Sequence, residues 1–342
     1  MRLAAAVLGL ALGQAALPAH ADTPECAPGH QPVFSLDYGS RYKADSETRS
    51  DLDEQANAEV DEALGPVDDF IRDLAHSARG LYDAEGDPQQ TADCLLDHMA
   101  VWAEAGALRD LRSHTSNLTI GSRLAGFGLI LDQALPMARD AKKAEAIKSW
   151  LYDLARRQMV FWEEDAHDGS RQGNLRAWAA LAVNVAGDLN EDPIMQGWSA
   201  WSMRYILCKA SPDGSLPQEM TRGAFAYHYQ LHAIAPLVVT SARLARQGQP
   251  MMSECDHALA RIVRFAIDDM QTGAATAAIA GEVQNYFDGS RELKPFNFAW
   301  LEAYLTLDAD PAIAQLANDM RPLRNSKLGG DQTLMWGDRI DG

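Results

Sequence analysis

Beyond an irregular lead segment, the apolar residues of this chain recur almost everywhere with the spacing of amphipathic helices. Alternating β-branched runs bounded by Asn-Gly turns, which are typical of strands, are almost absent. The sequence therefore predicts an all-α protein. Proline suits the first position of a helix, so Pro66 is expected to separate the first two helices. The expected helices are residues 50–64, 67–78, 91–107, 118–135, 141–164, 174–186, 193–208, 224–247, 257–272 and 296–307.

Turn signals rich in Gly, Pro, Asp and Ser separate many of these helices, for example at residues 85–88, 167–170, 211–214 and 247–250. Successive helices joined by short turns favour antiparallel helical hairpins, which can be added pairwise around a toroid. No Pro- or Ser-rich linker and no break in composition interrupts the series. We therefore expect a single domain over residues 22–342.

The first 21 residues have the pattern of a secretory signal peptide. Arg2 supplies the positive charge, residues 3–17 form a short apolar stretch, and Ala-His-Ala at 19–21 is a cleavage signal. A membrane anchor is the alternative, but the apolar stretch is shorter than the roughly 20 residues that a span needs. We expect cleavage before Asp22, which removes Arg2 and changes the charge from −18 to −19. The predicted location is periplasmic or secreted.

Charge narrows the range of partners. The chain has 30 Lys and Arg against 48 Asp and Glu, a formal net charge of −18 at pH 7. Nucleic acids and anionic membranes need a basic surface that releases counterions, so the net charge argues against both as partners. Net charge alone also argues against a polyanionic substrate. We expect a monomer with no membrane anchor after signal cleavage.

The four cysteines, Cys26, Cys94, Cys208 and Cys255, are scattered without Cys-x-x-Cys spacing. Metal binding by them is not expected. In an oxidising compartment they can form one or two disulfides. Three pairings are possible, and the sequence does not choose among them.

One helical stripe combines groups that can bind a carboxylate and move a proton. Arg222, Phe225, Tyr229 and His232 fall at i, i+3, i+7 and i+10, which places a cation, a phenol and an imidazole on one face. The alternative is a buried helix whose Tyr and His are hydrogen-bonded core residues. His228 points off the stripe. With His232 it gives His-x-x-x-His without a zinc protease's glutamate, so a metal site is not expected.

A second group opens the helix at residue 174. Asn174 can cap the helix or neutralise a substrate carboxylate, and Trp178, one turn later, offers a face for stacking on a sugar ring. Asp213, Glu219 and Glu163 are the acids from which a glycosidase carboxylate pair could come. Acids are abundant here, and most are expected on the solvated surface.

Five segments resemble the alginate lyases, secreted poly-mannuronate lyases. Residues 36–42 resemble the family's N-terminal Ser-Lys-Tyr segment, and residues 94–108 its Cys…Trp-Ala-x-Ala-x-Ala-Leu helix. Residues 216–219 match Leu-Pro-Asn-Glu, residues 298–304 match Tyr-Ala-Trp-Leu-Glu-Pro-Tyr, and residues 328–333 match Leu-Gly-Gly-x-x-Thr. The resemblance implies an incomplete (α/α) toroid of antiparallel helical hairpins that cleaves uronate polymers by β-elimination.

The resemblance also implies which family site positions this chain keeps. The family's Asn-Asn-His-Ser-Tyr-Trp falls on residues 173–178, so Asn174 and Trp178 are kept while the catalytic histidine is replaced by Leu175.

Counting forward, the family's arginine and the tyrosine seven residues later fall on Phe225 and His232. Its substrate-binding lysine falls on Arg41, and Tyr229 and Arg222 match a further tyrosine and arginine of the same region.

β-Elimination needs a neutralised carboxylate, a base for H5 and an acid for O4. A histidine in place of a tyrosine lowers the reference pKa from about 10 to about 6.5, which suits proton transfer near neutrality. We expect a polyuronate lyase that uses no cofactor and no metal, with a positive groove inside an acidic shell. A degenerate relative that only binds or escorts an exopolysaccharide is the main alternative, and a two-carboxylate hydrolase is the weaker one. The expected catalytic residues are Asn174, Arg222, Tyr229 and His232, and the expected substrate-binding residues are Arg41, Arg176, Trp178 and His228.

Overall fold

The computed structural model describes residues 29–340, without the side chains of 338–340, and the expected signal peptide lies outside the described residues. Helices dominate, as predicted from the periodicity. In chain order they are α1 Glu54–Ser77, α2 Pro88–Glu104, α3 His114–Thr119, α4 Gly121–Ala134, α5 Ala141–Glu164, α6 Asn174–Leu189, α7 Pro193–Leu207, α8 Pro217–Met220, α9 Ala226–Arg246, α10 Glu254–Asp268, α11 Ala274–Ala280, α12 Leu301–Leu305, α13 Pro311–Met320 and α14 Gln332–Ile340.

The expected break at Pro66 is wrong, because α1 continues through it. Val60, Leu64, Val67 and Phe70 lie on both sides of the proline and are all buried. Packing of this continuous apolar face compensates for the backbone hydrogen bond that a proline within a helix removes.

Other boundaries also differ from the predictions. The helix expected at 118–135 is two helices, α3 and α4, and the one expected at 296–307 is a 3₁₀ turn, Pro295–Phe298, followed by α12. Four helices were not predicted: α8, α11, α13 and α14. The helix predicted at 141–164 is confirmed by α5, whose first turn is capped by Asp140.

Helix α6 lies at the centre of the fold and is buried around almost its whole circumference. It packs closely against α4 because that helix carries glycines at the contact. A Cβ at Gly121 would lie 2.8 Å from the backbone nitrogen of Ala179, and one at Gly128 would lie 2.8 Å from Val185. The tight contact fixes the first turn of α6, where Asn174 and Leu175 stand.

Two short strand pairs bring distant segments to the same region. β1, Ser35–Leu36, pairs in parallel with β2, Asp110–Leu111, and holds the segment that leads to Tyr42. β3, Arg324–Asn325, pairs antiparallel with β4, Gly330–Asp331. The turn between β3 and β4 carries Lys327.

A disulfide joins Cys208 at the end of α7 to Cys255 at the start of α10, across 47 residues. This finding selects among the three pairings that the sequence left open. Cys94 is disulfide-bonded as well, and Cys26 lies outside the described residues. Within residues 29–340, no helix has the length and apolar character needed to cross a membrane.

Candidate active site

A cleft of about 390 Å³ lies between the N-terminal segment and the first turns of α6 and α9. Six of the eight catalytic and substrate-binding residues expected from the sequence line this cleft: Asn174, Arg222, Tyr229, His232, Arg41 and His228. Its apolar wall includes Leu52, Leu118, Leu175 and Phe225.

The charge of this cleft is opposite to that of the whole chain. Among the described residues that line it are six cations and no carboxylate. Apart from Arg41 and Arg49, which share the N-terminal segment, the cations come from distant parts of the sequence, so their meeting is a property of the fold. These cations are Arg41, Arg49, Arg123, Arg222, Arg291 and Lys327.

Carboxylates that are not part of the cleft lining pair with three of these cations. Arg123 binds Asp68 through two hydrogen bonds of 3.0 and 2.7 Å, and Arg41 lies 2.6 Å from Asp61. Lys327 is 4.0 Å from the same Asp68 carboxylate. The positive charge of Arg123, together with burial, lowers the pKa of Lys327 to about 8.

Tyr229 stands under an arginine and beside a second tyrosine. The Arg222 guanidinium lies 3.8 Å from the centroid of the Tyr229 ring, and the Tyr229 and Tyr42 hydroxyls form a hydrogen bond. Arg222 is held from the other side, because its Nε and Nη2 donate to the carbonyl oxygens of Thr48 and Arg49. Burial raises the pKa of Tyr229, and the Arg222 charge opposes the rise. Tyr229 therefore keeps its proton at neutral pH.

Both histidines of the cleft are uncharged at neutral pH. Burial lowers the pKa of His232 well below its usual value, and burial with Arg291 and Arg222 lowers the pKa of His228 to about 4. The expectation that His232 titrates near neutrality is therefore wrong. The Nδ1 atom of His228 lies 2.7 Å from the Tyr286 hydroxyl, which orients that ring.

Asn174 does not cap α6, because Gly173 occupies the cap position. Its backbone nitrogen and its Nδ2 donate to the Glu219 carboxylate at 2.7 and 2.9 Å. Its Oδ1 is buried without a hydrogen-bond partner among the described residues. Glu219 is 1 % exposed, and burial raises its pKa to about 7.

Two expected substrate-binding residues lie elsewhere. Arg176 is 1 % exposed and bonds to Glu163 at 2.6 Å and Ser202 at 3.1 Å, away from the cleft. It lies two residues after Asn174, which places it on nearly the opposite side of α6. Trp178 is 2 % exposed and packs against His232 with ring centroids 5.4 Å apart. It offers no stacking face to the first cleft.

A second cavity of about 910 Å³ lies beyond the histidines and shares His228, His232 and Lys327 with the first. Trp178 lines this second cavity.

The acids expected for a hydrolase are not paired in the cleft. Asp213 bonds to Ser215 in a turn, Glu163 bonds to Arg176, and Glu219 lies behind Asn174. None of these carboxylates lines the cleft in the part of the chain that the structure describes.

Tyr42, Glu219, Arg123 and Lys327 are among the residues at the site that the sequence did not assign to the lyase reaction; Glu219 was named only as a candidate hydrolase acid. Tyr42 and Glu219 stand in segments that carried the family resemblance, so those motifs are the signal that marks them. Arg123 lies in α4, far from every motif, and Lys327 lies in the β3–β4 turn, next to the family segment 328–333, to which the sequence assigned no role in the site. No local pattern distinguishes them from surface or structural cations.

Comparison with known proteins supports the resemblance. The family model described as alginate lyase matches residues 30–276. A polysaccharide lyase of Stenotrophomonas maltophilia is 27% identical over 93% of this chain and 91% of its own, and an alginate lyase of Azotobacter vinelandii is 27% identical over 92% and 85%.

Solved structures agree with the sequence comparison. Alginate lyase A1-III from Sphingomonas species A1 superposes with a TM-score of 0.74 at 22% identity, covering 91% of this chain and 86% of that one. A His-to-Ala variant of A1-III bound to a tetrasaccharide gives a TM-score of 0.76 at 24% identity, covering 94% and 88%. The chain shares this fold. Since the family model spans well over half of its length, the chain belongs to the alginate lyase family and is a polysaccharide lyase, a carbon–oxygen lyase by class.

Proposed function

We propose that the protein depolymerises a 4-linked uronic-acid polymer, alginate, poly-mannuronate or a related polyuronate, by β-elimination. The observation that carries the proposal is the cleft itself, which gathers six cations and no carboxylate among the described residues of a chain with net charge −18. Net charge acts at long range, whereas binding depends on the local lining. A polymer with one carboxylate per sugar suits this lining.

Neutralising the uronate carboxylate is the first chemical task, because it makes H5 acidic. Arg222 is suited to it, since its two backbone bonds use Nε and Nη2 and do not engage Nη1. Asn174 and Arg41, which also line the cleft, can contact the carboxylates of the bound polymer. Leu175, at the position of the family's histidine, gives no hydrogen bond here, so more of this task falls on the cations.

Proton transfer is assigned to Tyr229 and His232, whose ring centroids are 6.3 Å apart. Tyr229 keeps its proton at neutral pH and donates it to the departing O4. His232 is uncharged and accepts H5. The C4–O4 bond breaks, its electron pair leaves with O4, and the C5–H5 electrons form the C4=C5 double bond. No water, oxidant or reductant is consumed, and transfer of the proton from His232 to Tyr229 restores both groups.

The proposal also covers the arrangement of the helices and the location of the protein. The helices are proposed to form an incomplete (α/α) toroid around the cleft. Export to the periplasm or medium is proposed from the N-terminal pattern of residues 1–21, and the disulfide between Cys208 and Cys255 fits an oxidising compartment.

The test incubates the mature protein with alginate, poly-mannuronate and glucuronan and follows the ultraviolet absorbance of the C4=C5 double bond. Growth of absorbance on at least one polymer is expected. New reducing ends without absorbance would indicate a hydrolase, and retention of polymer without either would indicate a binding protein; both results contradict the proposal.

The proton-transfer roles are tested by Tyr229→Phe and His232→Ala, with Tyr152→Phe as a matched control. The Tyr152 hydroxyl bonds to Asp192 at 2.7 Å, outside the cleft. Both site variants should nearly abolish turnover while the control keeps it. Activity in His232→Ala with none in Tyr229→Phe would assign both transfers to Tyr229, and near-wild-type activity in both would refute the assignment.

A further inference from the structure

A buried acid–amide pair at the start of α6 has a role that the reaction scheme leaves open. Glu219 receives two hydrogen bonds from Asn174, from the backbone nitrogen at 2.7 Å and from Nδ2 at 2.9 Å. The approach depends on Gly173, where a Cβ would lie 2.4 Å from Oε1 of Glu219. The pair is thus built into the fold, with Glu219 directly behind the cleft wall.

In this arrangement the Asn174 amide is only partly suited to binding an anionic substrate. Nδ2 donates one of its two N–H groups to Glu219, and Oδ1, on the other side of the amide, is buried without a partner among the described residues. An oxygen acceptor repels a uronate carboxylate, whereas an amide N–H binds one. A half-turn of the amide would remove the acceptor from the side away from Glu219 and make both N–H groups of Nδ2 available to the substrate.

Rotation of the amide by half a turn exchanges its two ends. Nδ2 then faces the cleft, and Oδ1 faces Oε2 of Glu219. Two acceptor oxygens cannot bond to each other, so the rotated state needs a proton on Glu219. The protonated Oε2 donates to Oδ1, while Oε1 still accepts from the backbone nitrogen of Asn174. All polar atoms of the pair are then satisfied once a substrate carboxylate is bound.

We propose that Glu219 is a positioning residue whose proton decides which end of the Asn174 amide faces the cleft, so that the uronate carboxylate binds to the form with protonated Glu219. The inference rests on the proposed function, because it needs an anionic ligand. Glu219 itself does not touch the substrate.

The charges around Glu219 set the pH at which the pair changes state. Burial raises its pKa to about 7, against the two Asn174 hydrogen bonds and the positive charge of Arg222. From α9, Gln230 binds the backbone of Leu216 and Gly214, and α11 carries no ionisable side chain. The donating form of Asn174 is therefore favoured below about pH 7 and lost as the pH rises above it.

E219Q fixes the pair in its donating form. The new amide oxygen accepts from the backbone nitrogen of Asn174, and the new amide nitrogen donates to Oδ1. The matched control is E163Q, since Glu163 also bonds to a buried side chain, Arg176, but lies outside the cleft.

The readout is the Kd of a mannuronate tetramer, measured by calorimetry from pH 5.5 to pH 8.5 with Tyr229→Phe added to every protein, so that the ligand is not cleaved. For wild type and E163Q, the Kd should rise up to about tenfold per pH unit above pH 7, because the competent fraction falls by that factor. For E219Q, the part of the Kd increase that comes from loss of the Glu219 proton should be absent. A wild-type Kd that is independent of pH, or an E219Q profile identical to that of wild type, would overturn the inference.

A second measurement needs no substrate. In the ¹⁵N-labelled protein, the side-chain amide signals of Asn174, assigned by their absence in N174A, should shift with a midpoint near pH 7 and stay fixed in E219Q. If they shift but no tetramer binds, the proton-controlled amide stands and the proposed function fails. If the tetramer binds while the signals do not move, the proposed function stands and this inference fails.

Discussion

Replacing Tyr229 by Phe removes one hydroxyl and keeps the ring that lies 3.8 Å from the Arg222 guanidinium. The hydroxyl bonds to Tyr42, which also lines the cleft, so water can take its place. The loss of such a bond costs about 1 kcal/mol of stability or less. All six cations of the cleft remain. Tyr229→Phe should therefore fold normally and bind polyuronate with nearly wild-type affinity.

The effect on turnover should be much larger. A positioned general acid contributes roughly 10²–10⁴ to a rate. At 1.36 kcal/mol per factor of ten, this contribution corresponds to about 3–5 kcal/mol of lost transition-state stabilisation. The loss should fall on kcat, because the proton moves only in the transition state.

The assay is the initial rate of absorbance growth on poly-mannuronate, measured beside the Kd of a mannuronate tetramer and the thermal midpoint. Tyr152→Phe, which removes a hydroxyl outside the cleft, should match wild type in all three. A kcat of Tyr229→Phe within about threefold of wild type would refute the role of the phenol. Loss of activity explained by a weaker Kd would instead make Tyr229 a binding residue.

Three further predictions concern charge and packing. Arg176→Met should lower the free energy of unfolding by about 1–3 kcal/mol, because the contacts of Arg176 with aromatic rings are lost. The cost stays moderate because its partner Glu163 is partly exposed and can be hydrated. KM should not change, because Arg176 lies outside the cleft; denaturant unfolding with parallel kinetics checks both. Lys327 carries its charge below its pKa of about 8 and loses it above, so it should add a component to the rise of KM for polyuronate around pH 8 in the wild type. In Lys327→Arg this component should be absent, so that KM rises less steeply; pH-dependent kinetics of both proteins test it, and an unchanged profile would contradict it. Gly121→Val should cost about 2 kcal/mol or more, because a Cβ there already lies 2.8 Å from the nitrogen of Ala179; a thermal midpoint equal to that of wild type would contradict the close α4–α6 packing.

Local sequence patterns were sufficient to predict most of the helices and part of the site. Tyr229 and His232 belong to one helix, so their spacing alone brought them together. Arg222 precedes α9, across a 3₁₀ turn, and still reaches Tyr229 through a cation–π contact. The four missed helices are short, and their stability depends on tertiary contacts that no local period reveals.

Other features depend on which way a side chain points in the folded protein. Arg176 lies in a helix that is buried on nearly all sides, so its charge gave no indication of the face it occupies. Arg123 and Lys327 come from α4 and the β3–β4 turn, and only the fold brings them to the cleft. The low pKa of His232 arises from burial, which spacing along the chain does not describe.

The central claim is that this cleft breaks a polyuronate by elimination. The most direct test is mass spectrometry of the products formed from a mannuronate oligomer of defined length. Elimination predicts two fragments whose masses sum to that of the substrate, with the unsaturated fragment lighter by one water than its saturated counterpart. Fragments that together exceed the substrate by one water would show hydrolysis and contradict the account.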